Sequence, residues 1–478
     1  MTSLEKIDDK IDEKIDLGPI APPKAATARG HLLAVELAET LKLAVPIALT
    51  QLGQIAMMTT DIALIGRLGS EAVAAASLAH TVFFVCFTVG MGLISAVAPL
   101  AAQAFGAGRA HQVRRSLRVG LWAVLFISLP MMALSFRGER ILLALGQAPV
   151  AAGLAQQYLL GLTWSILPGL WFLAIRGFMS AVNRPEPILW ITLAAIPANA
   201  LLVYLLLYGG WGLPQLGLFG AGLATSIVSF GTFLAGVWFA ARRRPFRKYH
   251  VFGHIWRIDW ELMRQLIVIG APISIAFLLE YGLFGAAGLL MGLISMTALA
   301  AHQIALQVAA ILFMVPFGIG MAATVRVGHA IGRNDASAVR RAGFVAMLLG
   351  IALTTMLTLA VIINRFGIAR IFLGETTDPT AALSATLLLI GATFFVADGI
   401  QTIAAGSLRG MNDTRLPLLF AIVSYWMIGF PCACWLGFWT PLGAIGVWIG
   451  LSVGTAAYAA LLLLRFHLLA SKLAFGLD

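Results

Sequence analysis

Twelve long apolar runs, parted by short polar breaks, occupy most of this chain. They centre near residues 53, 86, 126, 167, 197 and 228, then near 278, 310, 350, 394, 426 and 455. Many reach the roughly 20 residues that cross a bilayer core. Only helices and closed barrels satisfy their backbone hydrogen bonds in lipid, and barrel strands alternate rather than run unbroken. The pattern therefore predicts an all-α integral membrane protein with twelve transmembrane helices. Composition agrees: 60% of residues are hydrophobic and only 11% are charged, against about 25% charged in a soluble domain.

The runs repeat. Pro46 and Pro272 are 226 residues apart, as are Phe87 and Phe313, Gly92 and Gly318, Gly106 and Gly332. The same offset joins Val113-Arg114-Arg115 to Val339-Arg340-Arg341, Gly217 to Gly443 and Gly220 to Gly446. One register held across six spans predicts two homologous six-helix lobes, 38–241 and 260–467, joined by a basic linker, 242–259. Six is even, so the repeat is parallel and a substrate path is expected between the lobes. Residues 1–37 read as an N-terminal tail and 468–478 as a C-terminal one. In the first, Leu4, Ile7, Ile11 and Ile15 recur at helical spacing before Pro19, Pro22 and Pro23 interrupt them.

A formal charge of +11 invites a nucleic-acid reading, but the distribution of the charge opposes it. Arg109, Arg114, Arg115 and Arg118 follow span 2, Arg184 follows span 4, and six Arg or Lys residues lie between spans 6 and 7. Arg333, Arg340 and Arg341 follow span 8, and Arg409 and Arg415 follow span 10, whereas the connections after odd spans are nearly neutral. By the positive-inside rule the even connections and both termini are expected in the cytoplasm. Cys86, Cys432 and Cys434 fall in apolar spans, where they predict packing rather than a disulfide or zinc framework. No phosphate-binding Gly-x4-Gly-Lys-Ser/Thr loop, no His-Glu-x-x-His and no Gly-x-Ser-x-Gly occurs, so neither ATP coupling nor an enzyme is indicated.

Three carboxylates stand inside apolar runs: Asp61, Glu280 and Asp398. A charge at mid-membrane costs roughly 2.5–3.5 kcal/mol on insertion scales, so such groups pair, face water or bind something. None obeys the repeat, since Asp61 matches Ala287, Glu280 matches Gln54 and Asp398 matches Phe172. Symmetry in the scaffold and asymmetry in the acids is the pattern of a site. No Lys or Arg is evident in the same stretches, which points to a cavity for cations. Phe277 and Phe284 share a helix face with Glu280, an arrangement that suits either a proton or an organic cation. The alternative is a carboxylate satisfied by Tyr281 or a neighbouring serine. Gln401 lies one turn after Asp398, and for Asp61, behind Thr59 and Thr60, a structural polar pairing competes with a site. His302 and His329, near the ends of span 8, admit a proton relay or plain helix–loop hydrogen bonds. Gly90-Met91-Gly92 and Gly318-Ile319-Gly320 read as close helix packing.

Residues 38–467 resemble the multidrug and toxic compound extrusion (MATE) family of cation-coupled exporters, in its bacterial branch. The resemblance rests on Val45-Pro46-Ile47, Asp61, Ala301-His302-Gln303-Ile304-Ala305 and Arg326-Val327-Gly328-His329 with Gly332. It rests further on Asp398-Gly399-Ile400-Gln401, Gly406-Ser407-Leu408-Arg409-Gly410 with Asp413, and Ser424-Tyr425-Trp426 before Gly429-x-Pro431. It implies two lobes opening alternately, and antiport of bulky cationic or amphiphilic compounds against Na+ or H+, with no cofactor. It implies a coupling-ion and substrate site at Glu280 and Asp398, which would hold the metal if the ion is Na+. Gln303, Tyr281, Phe277, Phe284 and Gln401 support that site. In the other lobe it implies Asp61 with Asn199, where Ala195 replaces a second asparagine one turn earlier. The expected setting is the bacterial inner membrane, as a monomer whose partners are small molecules and the bilayer, not nucleic acid. The rival is a flippase of related fold for lipid-linked oligosaccharides. Its pyrophosphate cargo calls for buried Arg or Lys, whereas the deep charges here read as acids.

Overall fold

The computed structural model describes residues 28–251, 253, 256–373 and 379–475. The expectations for residues 1–27 and 476–478 lie outside the described residues. Twelve long helices follow in order: α1 Ala28–Gly66, α2 Ser70–Gly106, α3 Ala110–Ser135, α4 Pro149–Ala181, α5 Glu186–Tyr208 and α6 Gly217–Arg242. Then come α7 Trp260–Ile294, α8 Met296–Gly332, α9 Ala336–Leu373, α10 Pro379–Gly410, α11 Arg415–Phe438 and α12 Ala444–Phe475. Each apolar run centres inside one of them. Eleven, α2 to α12, are long and apolar enough by themselves to cross a membrane, and α1 carries Gln51, Gln54 and Asp61 in its apolar half.

The described residues form two compact units, whose boundaries differ from those of the expected lobes. The described residues of Leu49–Ser274 make up one unit; residues 28–48 with the described residues from Ile275 onward make up the other. The cuts fall inside α1 and α7, each two residues beyond a helix-interior proline, Pro46 or Pro272. They are 226 residues apart, the offset of the repeat. A proline removes one helical hydrogen bond and crowds the preceding turn, so a long helix divides there at least cost.

Glycines make the packing of these half-helices close. A Cβ on Gly318 of α8 would lie 2.8 Å from the Ala48 Cβ and 2.9 Å from the Ala44 carbonyl oxygen, in unit two. In unit one, a Cβ on Gly92 of α2 would lie 2.6 Å from the Ser274 hydroxyl. Gly92 and Gly318 are repeat mates, and so are Ser274 and Ala48. The same small-residue crossing is thus built twice. Gly217 and Gly443, another pair, open α6 and the approach to α12 at φ 57° and 54°, a region that costs other residues strain.

The described helices extend past the expected lobe boundaries at both ends. Helix α1 begins at Ala28 rather than near 38, and α12 runs through Phe475 rather than stopping near 467. The linker is not a free basic strand. Phe246 and Tyr249 are buried in unit one, with ring centres 5.9 and 5.7 Å from that of Phe178. Burial pushes the Tyr249 phenol up to about 12.

Candidate functional site

In unit two the site grows from one face of α10. Asp398 and Gln401 are three residues apart, hence neighbours on that face, and both are buried. The Gln401 side-chain nitrogen donates to Asp398 Oδ1 at 2.7 Å and to Glu280 Oε1, from α7, at 2.9 Å. One amide therefore spans two carboxylates. The third helix is α11, which opens into a π-helical stretch over Ile422–Gly429. Such wide turns cluster at functional positions because they re-aim a side chain. Here the Tyr425 hydroxyl donates to Gln401 Oε1 and reaches Glu280 Oε1 at 3.4 Å. Ionised carboxylates only accept, so the amide nitrogen faces the acids and the amide oxygen is left to Tyr425. Next along the chain, Trp426 Nε1 donates to the Leu279 carbonyl at 3.2 Å and ties the π segment to α7 beside Glu280.

Two expectations for this site need correction. The acids do have a cation near them: Arg409, eleven residues after Asp398 on α10, acts electrostatically on Glu280. Its guanidinium lies over the Phe277 ring, 4.9 Å from the centre. The aromatic face is engaged by protein groups as well. Phe277 serves Arg409, and Phe284 packs edge-on against Phe394 at 5.8 Å. Tyr281 is half-buried, and Gln303 is exposed on α8. Tyr425 and Arg409 stood in the motifs that carry the family resemblance, yet nothing in their spacing marked them as neighbours of Glu280.

The second cluster belongs to unit one. Asp61, buried in α1, accepts from Asn199 Nδ2 of α5 at 2.6 Å and from the Thr225 hydroxyl of α6 at 3.3 Å. The structure brings the expected pair together and adds Thr225. Asn199 Oδ1 is buried without a hydrogen-bond partner, so an acceptor oxygen stands free beside a carboxylate. The Tyr158 hydroxyl, which bonds His80 Nε2 at 3.2 Å, feels the Asp61 charge. One turn before Asn199, Ala195 contributes no polar atom.

Deep charge is not all acidic, which corrects the argument made against a flippase. Arg118 of α3 and Arg176 of α4 are buried, and Arg176 Nη1 donates to Gln51 Oε1 at 2.5 Å. Of the two readings open for His302, the geometry favours an ordinary hydrogen bond over a relay. Its Nδ1 accepts from the Trp448 indole at 3.1 Å, and an indole N–H can only donate. That bond holds His302 in a neutral form with the proton on Nε2, in a wholly buried place. His329 is also buried.

The MatE family model matches the chain twice, over residues 46–205 and 272–435, with starting points again 226 apart. A relative from Bradyrhizobium diazoefficiens, called a probable multidrug resistance protein NorM, is 65% identical over 94% of this chain and 97% of its own. The chain belongs to the MatE family. A second relative, the multidrug resistance protein NorM of Burkholderia vietnamiensis, is 40% identical over 91% of this chain and 94% of its own. The fold is that of solved MATE transporters. The eukaryotic transporter AtDTX14 superposes with a TM-score of 0.81 at 21% identity, covering 93% of this chain and 100% of its own. An outward-facing multidrug resistance MATE transporter gives 0.83 at 18% identity, covering 94% and 100%. MatE folds of this kind consist of twelve helices in two lobes, the architecture expected here.

Proposed function

We propose that this chain is a multidrug exporter that expels hydrophobic cations in exchange for Na+ or H+. Efflux itself is the role carried by its relatives' names; the antiport and its site are inferred from the geometry. The observation that carries the inference is the single Gln401 nitrogen bonded to both Glu280 and Asp398. Two like charges within about 5 Å repel by roughly 3 kcal/mol at an effective dielectric near 20. A proton, a sodium ion or a cationic cargo relieves that repulsion. With Arg409 supplying one positive charge, ionised Glu280 and Asp398 leave a balance of one negative charge. One monovalent cation completes neutrality and a second exceeds it. Ion and cargo then exclude one another, and exclusion at a site that alternates between the two faces of the membrane is exchange. We favour Na+, because two carboxylates with nearby oxygens can cage it.

Asp61, Asn199 and Thr225 are assigned a supporting polar site in the other unit. The oligosaccharide flippase gains nothing from Arg176, whose bond to Gln51 already gives that cation a place within the unit. Dye efflux into inside-out vesicles, driven in turn by a Na+ and a H+ gradient, tests the proposal. Cation export under one gradient supports it; a strict preference for anionic cargo refutes it. Both termini are placed in the cytoplasm, at the inner membrane, on the Arg and Lys asymmetry. Cysteines introduced near Gly212 and near Arg243 should label from opposite sides, and labelling from one side would overturn the topology. The working unit is proposed to be the monomer, and a stable dimer in native mass spectrometry would contradict that.

A further inference from the structure

The two repeats carry the same basic pair and treat it differently. In unit one, Arg115 Nε donates to Asp259 Oδ2 at 2.6 Å, and its Nη2 bonds the same oxygen. Asp259 also caps α7, accepting from the Leu262 amide at 3.1 Å. Burial works against its charge, but that amide and the guanidinium hold the Asp259 carboxyl below the usual range. The counterpart of Arg115, 226 residues on, is Arg341 of α9, and the counterpart of Asp259 is Leu33 of α1. Unit two thus keeps the arginines and lacks the acid.

Arg341 is half-buried, and its Nε has no hydrogen-bond partner. The carboxylate that acts on it is Asp335, whose Oδ1 is already engaged as a helix cap by the Ser337 hydroxyl at 2.8 Å and the Ala338 amide at 2.9 Å. Between α1, α9 and α12, within unit two, lies a cavity of about 730 Å³. Arg340, Arg341 and His467 line it with polar groups, while Leu33, Phe344 and Leu463 line it with hydrocarbon. A fitting ligand has a compact anion at one end and an apolar chain at the other. Guanidinium forks match phosphate oxygens, and basic pockets between membrane helices accept anionic headgroups. Two of these helices, α9 and α12, are themselves candidate membrane spans, so lipid lies at hand.

We propose that this cavity binds an anionic phospholipid, with the phosphate on Arg340 and Arg341 and an acyl chain over Phe344 and Leu463. The lipid supplies unit two with the negative charge that Asp259 supplies to unit one. It thereby joins the start of α1 to α9.

The test uses the purified full-length chain in uncharged detergent, with thermal unfolding and native mass spectrometry as readouts. Phosphatidylglycerol should raise the melting temperature and persist as an adduct, whereas phosphatidylcholine and inorganic phosphate should do neither. The double variant Arg340→Gln, Arg341→Gln should lose the response. A second variant guards against a folding defect in the first: Leu33→Asp offers Arg341 a carboxylate from within the chain. It should bind phosphatidylglycerol about tenfold more weakly, because the charge-assisted bonds are already made. Equal stabilisation by phosphatidylglycerol and phosphatidylcholine would overturn the proposal. So would a shift reproduced by inorganic phosphate alone, or full phosphatidylglycerol affinity in Leu33→Asp.

Discussion

Glu280 and Asp398, on helices 118 residues apart in sequence, accept hydrogen bonds from one amide nitrogen, at 2.9 and 2.7 Å. The pairing joins the expected acids through a glutamine already placed near one of them. It also makes the orientation of that glutamine a working part of the site. Reversed, Gln401 would present its oxygen to two carboxylates. The two ionised carboxylates, which can only accept, oppose that reversal, and Tyr425 bonds the oxygen that this orientation turns toward it.

Tyr425→Phe should therefore impair coupled efflux without unfolding the protein. The lost bond is one neutral hydrogen bond, about 1 kcal/mol, or roughly fivefold in rate or ion affinity. Vesicle transport beside a thermal melt separates the two effects. Unaltered transport in the variant would show that Gln401 holds its orientation without the tyrosine.

In unit one, Asn199→Leu leaves Asp61 with the weaker Thr225 contact alone. A hydrogen bond to a charged group contributes about 1.5–3 kcal/mol, so the melting temperature should fall. If the two residues act as a pair, Asp61→Asn combined with Asn199→Leu should cost less than the sum of the single changes. Strict additivity would mean that the 2.6 Å contact carries no coupling.

Gly318→Ala should lower the stability of unit two by about 1–3 kcal/mol, the usual cost of forcing extra volume into a close crossing. Gly285→Ala on α7, where an added Cβ meets nothing within 4 Å, is the matched control and should be near neutral. Helix propensity favours alanine in both variants, so comparable loss in both would trace the effect to expression or handling, not to the α1–α8 crossing.

Periodicity and a fixed offset made much of the fold legible in the chain itself. The twelve helices follow from run length, and Gly92 and Gly318 already read as sites of close helix packing. The two units were not legible, because α1 and α7 divide at prolines inside unbroken apolar runs, and hydropathy does not register such a division. The acids were visible because charge is rare in lipid. Thr225 was not, since a threonine hydroxyl can be satisfied by its own helix, as Thr225 also does with the Ala221 carbonyl. The reach of Arg409 and Tyr425 toward Glu280 depends on helix crossings and on the π segment of α11. No single-helix spacing encodes either. Arg176 escaped notice as a buried group because it lies only eight residues before Arg184, where a basic residue was expected.

The central claim is that Glu280 and Asp398 together hold the exchanging cation. Glu280→Gln and Asp398→Asn keep the shape of each side chain and remove its charge. The most direct measurement is gradient-driven export of a cationic dye by each variant in inside-out vesicles, at matched expression and with the melting temperature recorded. The account predicts that each single variant loses coupled efflux while remaining folded, and that Asp61→Asn only weakens it. Full coupled efflux by both Glu280→Gln and Asp398→Asn would contradict the account and leave the two carboxylates with a structural role.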